Sequence, residues 1–534
     1  MSIAIDFGTS NTVVARWNPV TQQAETLTLP GLSLQQSLNP PLIPSLVYVE
    51  DAAQGKIILG QQVRDRGLDL ASENRFFRSF KRGIGANIQG FLPELDGETV
   101  SFEMVGKWFL QEVISQLATS YQEVSESLVL TVPVDSFEVY RYWLGTVCED
   151  LAVKEVRMLD EPTAAALGYG ITGEEVLLVI DFGGGTLDLS LVRLDQSFQQ
   201  ANSKPVGFLL KFANKSLAET SKQKVKTARV LAKAGQNLGG SDIDNWLVDY
   251  FVQTQNIPVN PITTRLAEKL KIQLSSQTQA TEVYFNDETF ESYELALNRE
   301  EFEDILKERG LFQQLDIAIK SIYQQVQRQE IQIADISSVL LVGGTSQLPA
   351  VQKWVNNHFP SSKIKCDRPF EAIAQGALQL TQGLEVKDYL YHSYGVRYWD
   401  RRNNRHSWHP IIKAGQPYPM SKPAELVLGA SMENQPCIEL IMGELGAETG
   451  GTEVYFDGDR LITRRVDGGV TTVKPLNDKE GARSIANLKP PGFPGSDRIK
   501  IYFQVDAQRF LRITVEDLLT NETLLENQSV AQLS

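Results

Sequence analysis

Two stretches decide the fold: Ile3-Ala4-Ile5-Asp6-Phe7-Gly8-Thr9-Ser10-Asn11 and Leu178-Val179-Ile180-Asp181-Phe182-Gly183-Gly184-Gly185-Thr186-Leu187-Asp188. Each is a short apolar run ending in Asp, followed by glycine and a hydroxyl residue. Runs of this length read as buried strands. The glycines let successive N–H groups turn inward, making a concave nest for an anion. The strand-end Asp suits Mg2+ held through water, because that ion dehydrates reluctantly. One such turn is ordinary; the repetition predicts two related lobes that close on one nucleotide.

A third corner, Val339-Leu-Leu-Val342-Gly343-Gly344-Thr345-Ser346, offers a backbone without Cβ that a flat ring or a phosphate can approach closely. Other nucleotide signatures fail. There is no G-x-x-x-x-G-K-[ST]. Gly168-Tyr-Gly170-Ile-Thr-Gly173 has the G-x-G-x-x-G spacing, but it ends the helical stretch 162–167 and precedes a strand. That is the reverse of the dinucleotide context, so it reads as a helix stop.

Working outward, 128–132, 176–180 and 339–342 read as buried strands, and 102–116 and 137–151 as helices. Strands alternating with helices predict an α/β architecture. From about 394 the texture changes. Short alternating segments at 436–442, 498–503 and 509–515 lie between Gly, Pro and Asp turns, as in an antiparallel β-domain. The predicted organisation is a nucleotide-binding domain over 1–383, a linker over 384–395 and a β-domain over 396–534.

Composition sets the outer limits. At ~150 residues per domain, 534 residues suggest two to four domains. The 42% hydrophobic and 22% charged shares are those of a folded globular chain, which excludes collagen, low-complexity and coiled-coil rods. A net charge of −15, from 51 basic and 66 acidic residues, argues against nucleic-acid binding. Cys148, Cys366 and Cys437 are too scattered for a disulfide framework or a zinc site, and fit a reducing compartment. His406 and His409 lack the cysteine or acidic companions of a metal cluster. The N-terminus lacks the basic and apolar regions of a signal peptide, and no run approaches the ~18 residues of a membrane helix. The expectation is a cytoplasmic protein without a membrane span. One segment departs from the acidic balance: Lys204, Lys211, Lys215, Lys222, Lys224, Lys226, Arg229 and Lys233 face a lone acid, Glu219. It is either a solvated face or a docking surface for an acidic partner.

The two Asp-Phe-Gly modules, with Asp160-Glu161-Pro162-Thr163-Ala-Ala-Ala-Leu167 and Leu341-Val-Gly343-Gly344-Thr345, resemble the 70-kDa heat-shock chaperones of the DnaK type. The match runs in order across 1–383. The resemblance implies an α/β actin-like, ribonuclease H-like, two-lobed ATPase domain followed by an antiparallel β-sandwich that binds peptides. It implies ATP and ADP as ligands, with Mg2+ and K+.

Roles carry over residue by residue. Gly8, Thr9, Ser10 and Asn11 are similar to the first phosphate loop, and Gly183, Gly184, Gly185 and Thr186 to the second. Asp6, Asp181 and Asp188 match the carboxylates around the hydrated metal. Lys81, in Phe80-Lys81-Arg82-Gly83, matches the lysine that positions the attacking water, and Glu161 the acid that organises the metal–water network. With Asp181 and Thr186 these form the implied catalytic set. Gly239, Gly240, Glu268, Lys271, Ser275, Gly343, Gly344 and Thr345 match nucleotide contacts. Glu268, Lys271 and Ser275 fall on one helical face by spacing. Gln347 stands where the family usually has Arg, and Phe370 where it usually has Asp.

Pro133 and Arg141 match a switch between phosphate state and domain docking, and Arg157 a position used toward J-domain co-chaperones. The linker departs, with Asp388-Tyr-Leu-Tyr-His-Ser393 in place of a leucine-rich run. The loop Trp399-Asp-Arg-Arg-Asn-Asn-Arg-His-Ser-Trp408 is polar and basic where relatives are apolar. The stretch 446–480 has no counterpart, and 524–534 supplies one strand and no helical lid. The implied partners are unfolded or exposed client polypeptides, a J-domain co-chaperone and a nucleotide exchange factor. Two rivals share the lobed fold: a small-molecule kinase, which needs a base for an acceptor hydroxyl, and a filament-forming ATPase.

Overall fold

The apolar runs pair as their burial demands. In this computed structural model the described residues are all except 1, 19, 37–38, 71–73, 87, 91, 122–126, 134–136, 150, 152, 154, 172–174, 194–207, 213–214, 217–228, 287–289, 328–330, 380–389, 391–392, 401–404, 414–415, 417–419, 421, 446–450, 458–459, 467–472, 478–483, 507–508 and 534. In the strands Ile88–Gln89, Phe208–Phe212, Lys215–Ser216, Gly451–Asp457 and Arg460–Val466 the backbone alone is described. The chain is mixed α/β with several sheets and divides into two units. The first takes in Met1–Ser216, Val230–Glu385 and Thr452–Arg465; the second includes Val386–Gly451 and Val466–Ser534.

In the first unit, Ser2–Phe7 sits mid-sheet. It runs parallel to Ser127–Val132 and antiparallel to Asn11–Asn18. Glu155–Asp160 extends the sheet in parallel beyond Ser127–Val132. The edge of Glu155–Asp160 is covered in turn by Phe208–Phe212, which pairs antiparallel with it. A second sheet holds Val176–Phe182 between Leu187–Arg193, antiparallel, and Ile336–Val342, parallel. Both Asp-Phe-Gly modules therefore leave central strands. Burial on both faces explains their unbroken apolar runs rather than an alternating pattern. Leu178, Ile180, Leu189 and Leu341 pack with Ile243, Leu247, Leu270 and Leu274 of the covering helices in one core.

The expected strands at 128–132, 176–180 and 339–342 lie within these elements. The expected helices at 102–116 and 137–151 are the helices Phe102–Tyr121 and Phe137–Glu149. Helix Glu161–Gly168 is capped by Asp160, whose side chain accepts a hydrogen bond from the Thr163 N–H at 2.9 Å. It ends at Gly168, with Gly170 at φ +67°, as the helix-stop reading of that glycine run required. Its alanine face meets helix Ala372–Gln379 at glycine-only range: a Cβ on Gly376 would fall 1.9 Å from the Ala164 carbonyl oxygen.

The hairpin Gly451–Asp457/Arg460–Val466 lies in the stretch 446–480. Its first strand pairs in parallel with Ile88–Gln89, Glu453 opposite Ile88 and Val454 opposite Gln89. Residues far along the chain thus belong to the first unit.

The second unit is built of antiparallel pairs. Ala424–Gly429, Asp497–Val505, Phe510–Asp517 and Thr523–Gln532 form one sheet. Arg405–Ile412, Ser393–Asp400, Met442–Leu445 and Val473–Pro475 form another. Alternate residues Leu511, Ile513 and Val515 enter a core with Tyr394, Val396, Ile499, Ile501 and Phe503. This is the period-2 pattern the sequence carries there. Linker positions 384–389, 391 and 392 and the loop positions 401–404 lie outside the described residues. So do the basic side chains from Lys204 to Lys226.

Candidate functional site

The two Asp-Phe-Gly corners face one another. A Cβ on Gly184 would fall 1.9 Å from Ser10 Oγ, so the second loop approaches the first at a distance only glycine allows. A Cβ on Gly185 would fall 2.7 Å from Thr9 Cγ2. The first corner is braced by Ser45, whose hydroxyl donates to the Gly8 carbonyl at 2.8 Å. The second is closed by Gly183 N–H donating to the Thr186 carbonyl at 3.0 Å. The third corner joins it, with Thr345 Oγ1 donating to the Gly183 carbonyl at 2.8 Å. Gly239 and Gly240 open helix Gly240–Gln255, and Gly240 N–H also donates to the Gly183 carbonyl, at 3.0 Å. The structure thus brings together Gly8 to Asn11, Gly183 to Thr186, Gly239, Gly240 and Thr345.

Acids floor the cleft. Asp6 accepts a hydrogen bond from Thr131 Oγ1 at 2.7 Å. Withdrawal from water, and then Glu161, push its pKa up to about 7, while Lys81 and Thr131 pull it back. Asp181 rises well above the usual carboxylate range, first by burial, then through Glu161, Asp188 and Asp6. Asp188 stands opposite Asp181 across the hairpin. This surplus of negative charge fits a divalent cation. Among the described residues no group of three or more His, Cys, Asp or Glu is placed to chelate one directly. The strand-end carboxylates Asp6 and Asp181 suit Mg2+ held through water, because that ion dehydrates reluctantly.

Lys81 is the cation of the floor. It lies on the turn Phe80–Gly83, is 8% exposed, and its Nζ is 3.1 Å from Glu161 Oε1. Burial works to lower its pKa, but Glu161, Tyr140 and Asp6 outweigh that and hold it above the ordinary lysine value. The ammonium therefore stays charged. Glu161 reaches it from the first turn of its helix.

Of the expected nucleotide contacts on helix Pro261–Ser276, Lys271 donates to the Gly240 carbonyl at 2.8 Å and pairs with Asp244 at 2.7 Å. Glu268 is held by Arg64 at 2.7 Å. Burial works to raise its pKa, but Arg64, Lys271 and Arg78 lower it to about 2. Ser275 bonds back to its own helix, at the Lys271 carbonyl. Phe370 lies against Gly344. A cavity of about 400 Å3 opens here, lined by Thr9, Ser10, Arg64, Arg78, Ser241 and Glu268 among others.

Sequence reasoning missed Thr131, Arg64, Asp244 and Tyr140, because each meets its partner only through the fold. One expectation is corrected. Arg157 is 2% exposed, ion-paired with Glu155, and lies on the strand edge that Phe208–Phe212 covers. It does not present its side chain at the surface.

Facing glycine corners over a carboxylate floor with one buried lysine–glutamate pair define a class of phosphate-binding, mixed α/β proteins. A family model described as "Hsp70 protein" matches residues 73–203 and 223–390, more than half of the chain. The chain belongs to the Hsp70 family. It is similar to "Chaperone protein dnaK1" of Synechocystis sp., with 26% identity over 89% of this chain and 65% of that protein. "Chaperone protein DnaK" of Elusimicrobium minutum is 25% identical over 97% of this chain and 76% of its own length. The corresponding figures for "Chaperone protein DnaK" of Mycoplasmoides gallisepticum are 25%, 99% and 80%. The chain thus spans between about two thirds and four fifths of these relatives. Among the described residues no helix is long and apolar enough to cross a membrane.

Proposed function

We propose that the chain is an ATP-dependent molecular chaperone, which hydrolyses ATP and transiently binds unfolded or exposed segments of client proteins. Its nucleotide domain, 1–383, is of the actin-like two-lobed kind. The linker 384–395 leads to a β-sandwich over 396–534. The observation that carries this reading is the buried Lys81–Glu161 pair set beneath two opposed glycine corners.

The chemistry is phosphoryl transfer to water by positioning and charge neutralisation, without a covalent intermediate. The N–H groups of the two glycine loops cradle the phosphates, and Thr9, Ser10 and Thr186 add hydroxyls, while Thr345 braces the second loop at the Gly183 carbonyl. Lys81 positions the attacking water and supplies a fixed cation where charge develops, and Glu161 holds that cation and organises the water around the metal. Asp6, Asp181 and Asp188 would hold the water shell of Mg2+, which when bound would neutralise phosphate charge, and K+ would be a further ion of the site. Glu268, held by Arg64, and Lys271, held by Asp244, line the nucleoside end. A J-domain co-chaperone and an exchange factor are the proposed partners, at surfaces other than Arg157, and the cytoplasm and the stress response the proposed setting.

Steady-state ATP turnover with and without an unfolded polypeptide tests the proposal. Lys81→Ala should lower turnover by ~10²-fold, the scale of one lost electrostatic donor, with ADP affinity changed far less. Turnover that no client alters, or that survives Lys81→Ala intact, overturns it.

A further inference from the structure

Lys81 does not hold itself in place. Its side chain is pinned at the tip by Glu161, but the turn Phe80–Gly83 that carries it is short, and its N-cap Ser79 sits at a left-handed φ of 54°. Tyr140 supplies a second anchor. Its hydroxyl donates to the Lys81 main-chain carbonyl at 3.1 Å. Its ring lies 5.6 Å from Lys81 Nζ, and the Phe7 ring flanks the same ammonium at 5.6 Å. A cation within about 6 Å of a ring is drawn to its face, the more so when both are withdrawn from water.

Tyr140 is itself fixed. It is 3% exposed, and its ring meets Trp143 edge-on at 5.6 Å, one turn along the helix Phe137–Glu149. Trp143 is tied by its indole N–H to the Glu103 carbonyl at 3.1 Å. The Glu103 side chain returns to the chain just after the lysine turn, accepting from Gly85 N–H at 2.8 Å. Phe7, Phe80 and Phe109 close the floor, with ring centroids 5.6–6.0 Å apart. Burial, the largest influence, keeps the phenol protonated, with a pKa above the ordinary tyrosine value, so it remains a donor.

From this geometry we infer that Tyr140 is a positioning residue for hydrolysis: it fixes the main chain and side chain of Lys81, and acts through that lysine. The inference rests on the ATPase reading above. Because Tyr140 acts through Lys81, it should govern the chemical step and leave nucleotide binding alone.

Single-turnover hydrolysis and ADP affinity, measured on the full chain, test this. Tyr140→Phe keeps the ring and removes the hydroxyl; hydrolysis should slow by ~10-fold, the worth of one buried hydrogen bond. Tyr140→Leu removes both contacts and should slow it further. ADP affinity should stay within about twofold in each, a split that a general loss of packing would not give. In a Lys81→Ala background Tyr140→Phe should cost nothing more, since the group it positions is gone. Wild-type hydrolysis in Tyr140→Phe overturns the inference, as does an undiminished Tyr140→Phe effect on top of Lys81→Ala. Should Tyr140→Leu fail to fold, the phenylalanine variant and the double variant still decide. A wild-type chain that hydrolyses no ATP refutes the functional reading and this inference with it. A slow Lys81→Ala beside a normal Tyr140→Phe refutes the inference alone.

Discussion

At the scale of single residues, Glu268 shows how the fold gives a distant partner to a group that the family resemblance places at a nucleotide. Its carboxylate is bound to Arg64, far away in the chain, and is kept ionised. The free-energy consequence has a definite sign. With its pKa lowered from 4.5 to about 2, Glu268 contributes stability that is present above about pH 4.5 and lost as pH falls toward 2. Glu268→Gln should therefore lower stability at pH 7 by roughly 1–3 kcal/mol, the range for a charge-assisted hydrogen bond in a partly buried site. The gap from wild type should narrow in urea unfolding as pH drops below about 4.5. A gap that is independent of pH would refute the pairing. What was legible here follows from chemistry. Asp6 and Asp181 sit in repeated strand–turn motifs whose residue types point to a phosphate and a hydrated ion, whereas Lys81 and Glu161 were legible only through the family resemblance. Arg64, Thr131 and Tyr140 carry no such mark, because a guanidinium, a hydroxyl and a phenol serve equally well on any surface.

At the scale of elements, the helix Glu161–Gly168 is both a structural joint and the mount of a functional acid. Gly376 lets helix Ala372–Gln379 press against it, with a would-be Cβ 1.9 Å from the Ala164 carbonyl oxygen and 2.4 Å from the Gly168 nitrogen. Backbone atoms cannot step aside as a side chain can. Gly376→Ala should therefore cost about 1–3 kcal/mol of stability, in the range of overpacked cores. It should also depress turnover, since Glu161 shifts with its helix. An unchanged melting temperature would show that the crossing is looser than described. Central strands and the end of the helix Glu161–Gly168 were readable because their signals are local: an apolar run and a glycine stop. The strand Phe208–Phe212 was not, for it lies in a segment whose lysines dominate the reading, and its partner Glu155–Asp160 is remote. Nor was the pairing of Gly451–Asp457 with Ile88–Gln89, where two residues are too short a run to stand out.

At the scale of the whole molecule, the first unit is assembled from separate stretches of chain, the last being Thr452–Arg465. Replacing Thr452–Arg465 by a short Gly/Ser bridge should lower the thermal midpoint of the first unit, because Ile88–Gln89 loses its paired strand. The sheet of Asp497–Val505 and Phe510–Asp517 should unfold as before. Calorimetry that resolves the two transitions decides, and an unmoved first transition would mean that the hairpin adds nothing. The broad division into an α/β part and a β part was legible from texture. This interleaving was not, because composition does not record which strand a hairpin will join. The same interleaving sets a timetable on the ribosome. Folding begins as the N-terminal part emerges, yet the first unit waits for about 80 further residues after Glu385, roughly 4–16 s of synthesis. Throughout that interval the strand Ile88–Gln89 has an open edge, and open edges invite foreign strands. A protein proposed to shelter exposed segments of others is thus born with an exposed segment of its own.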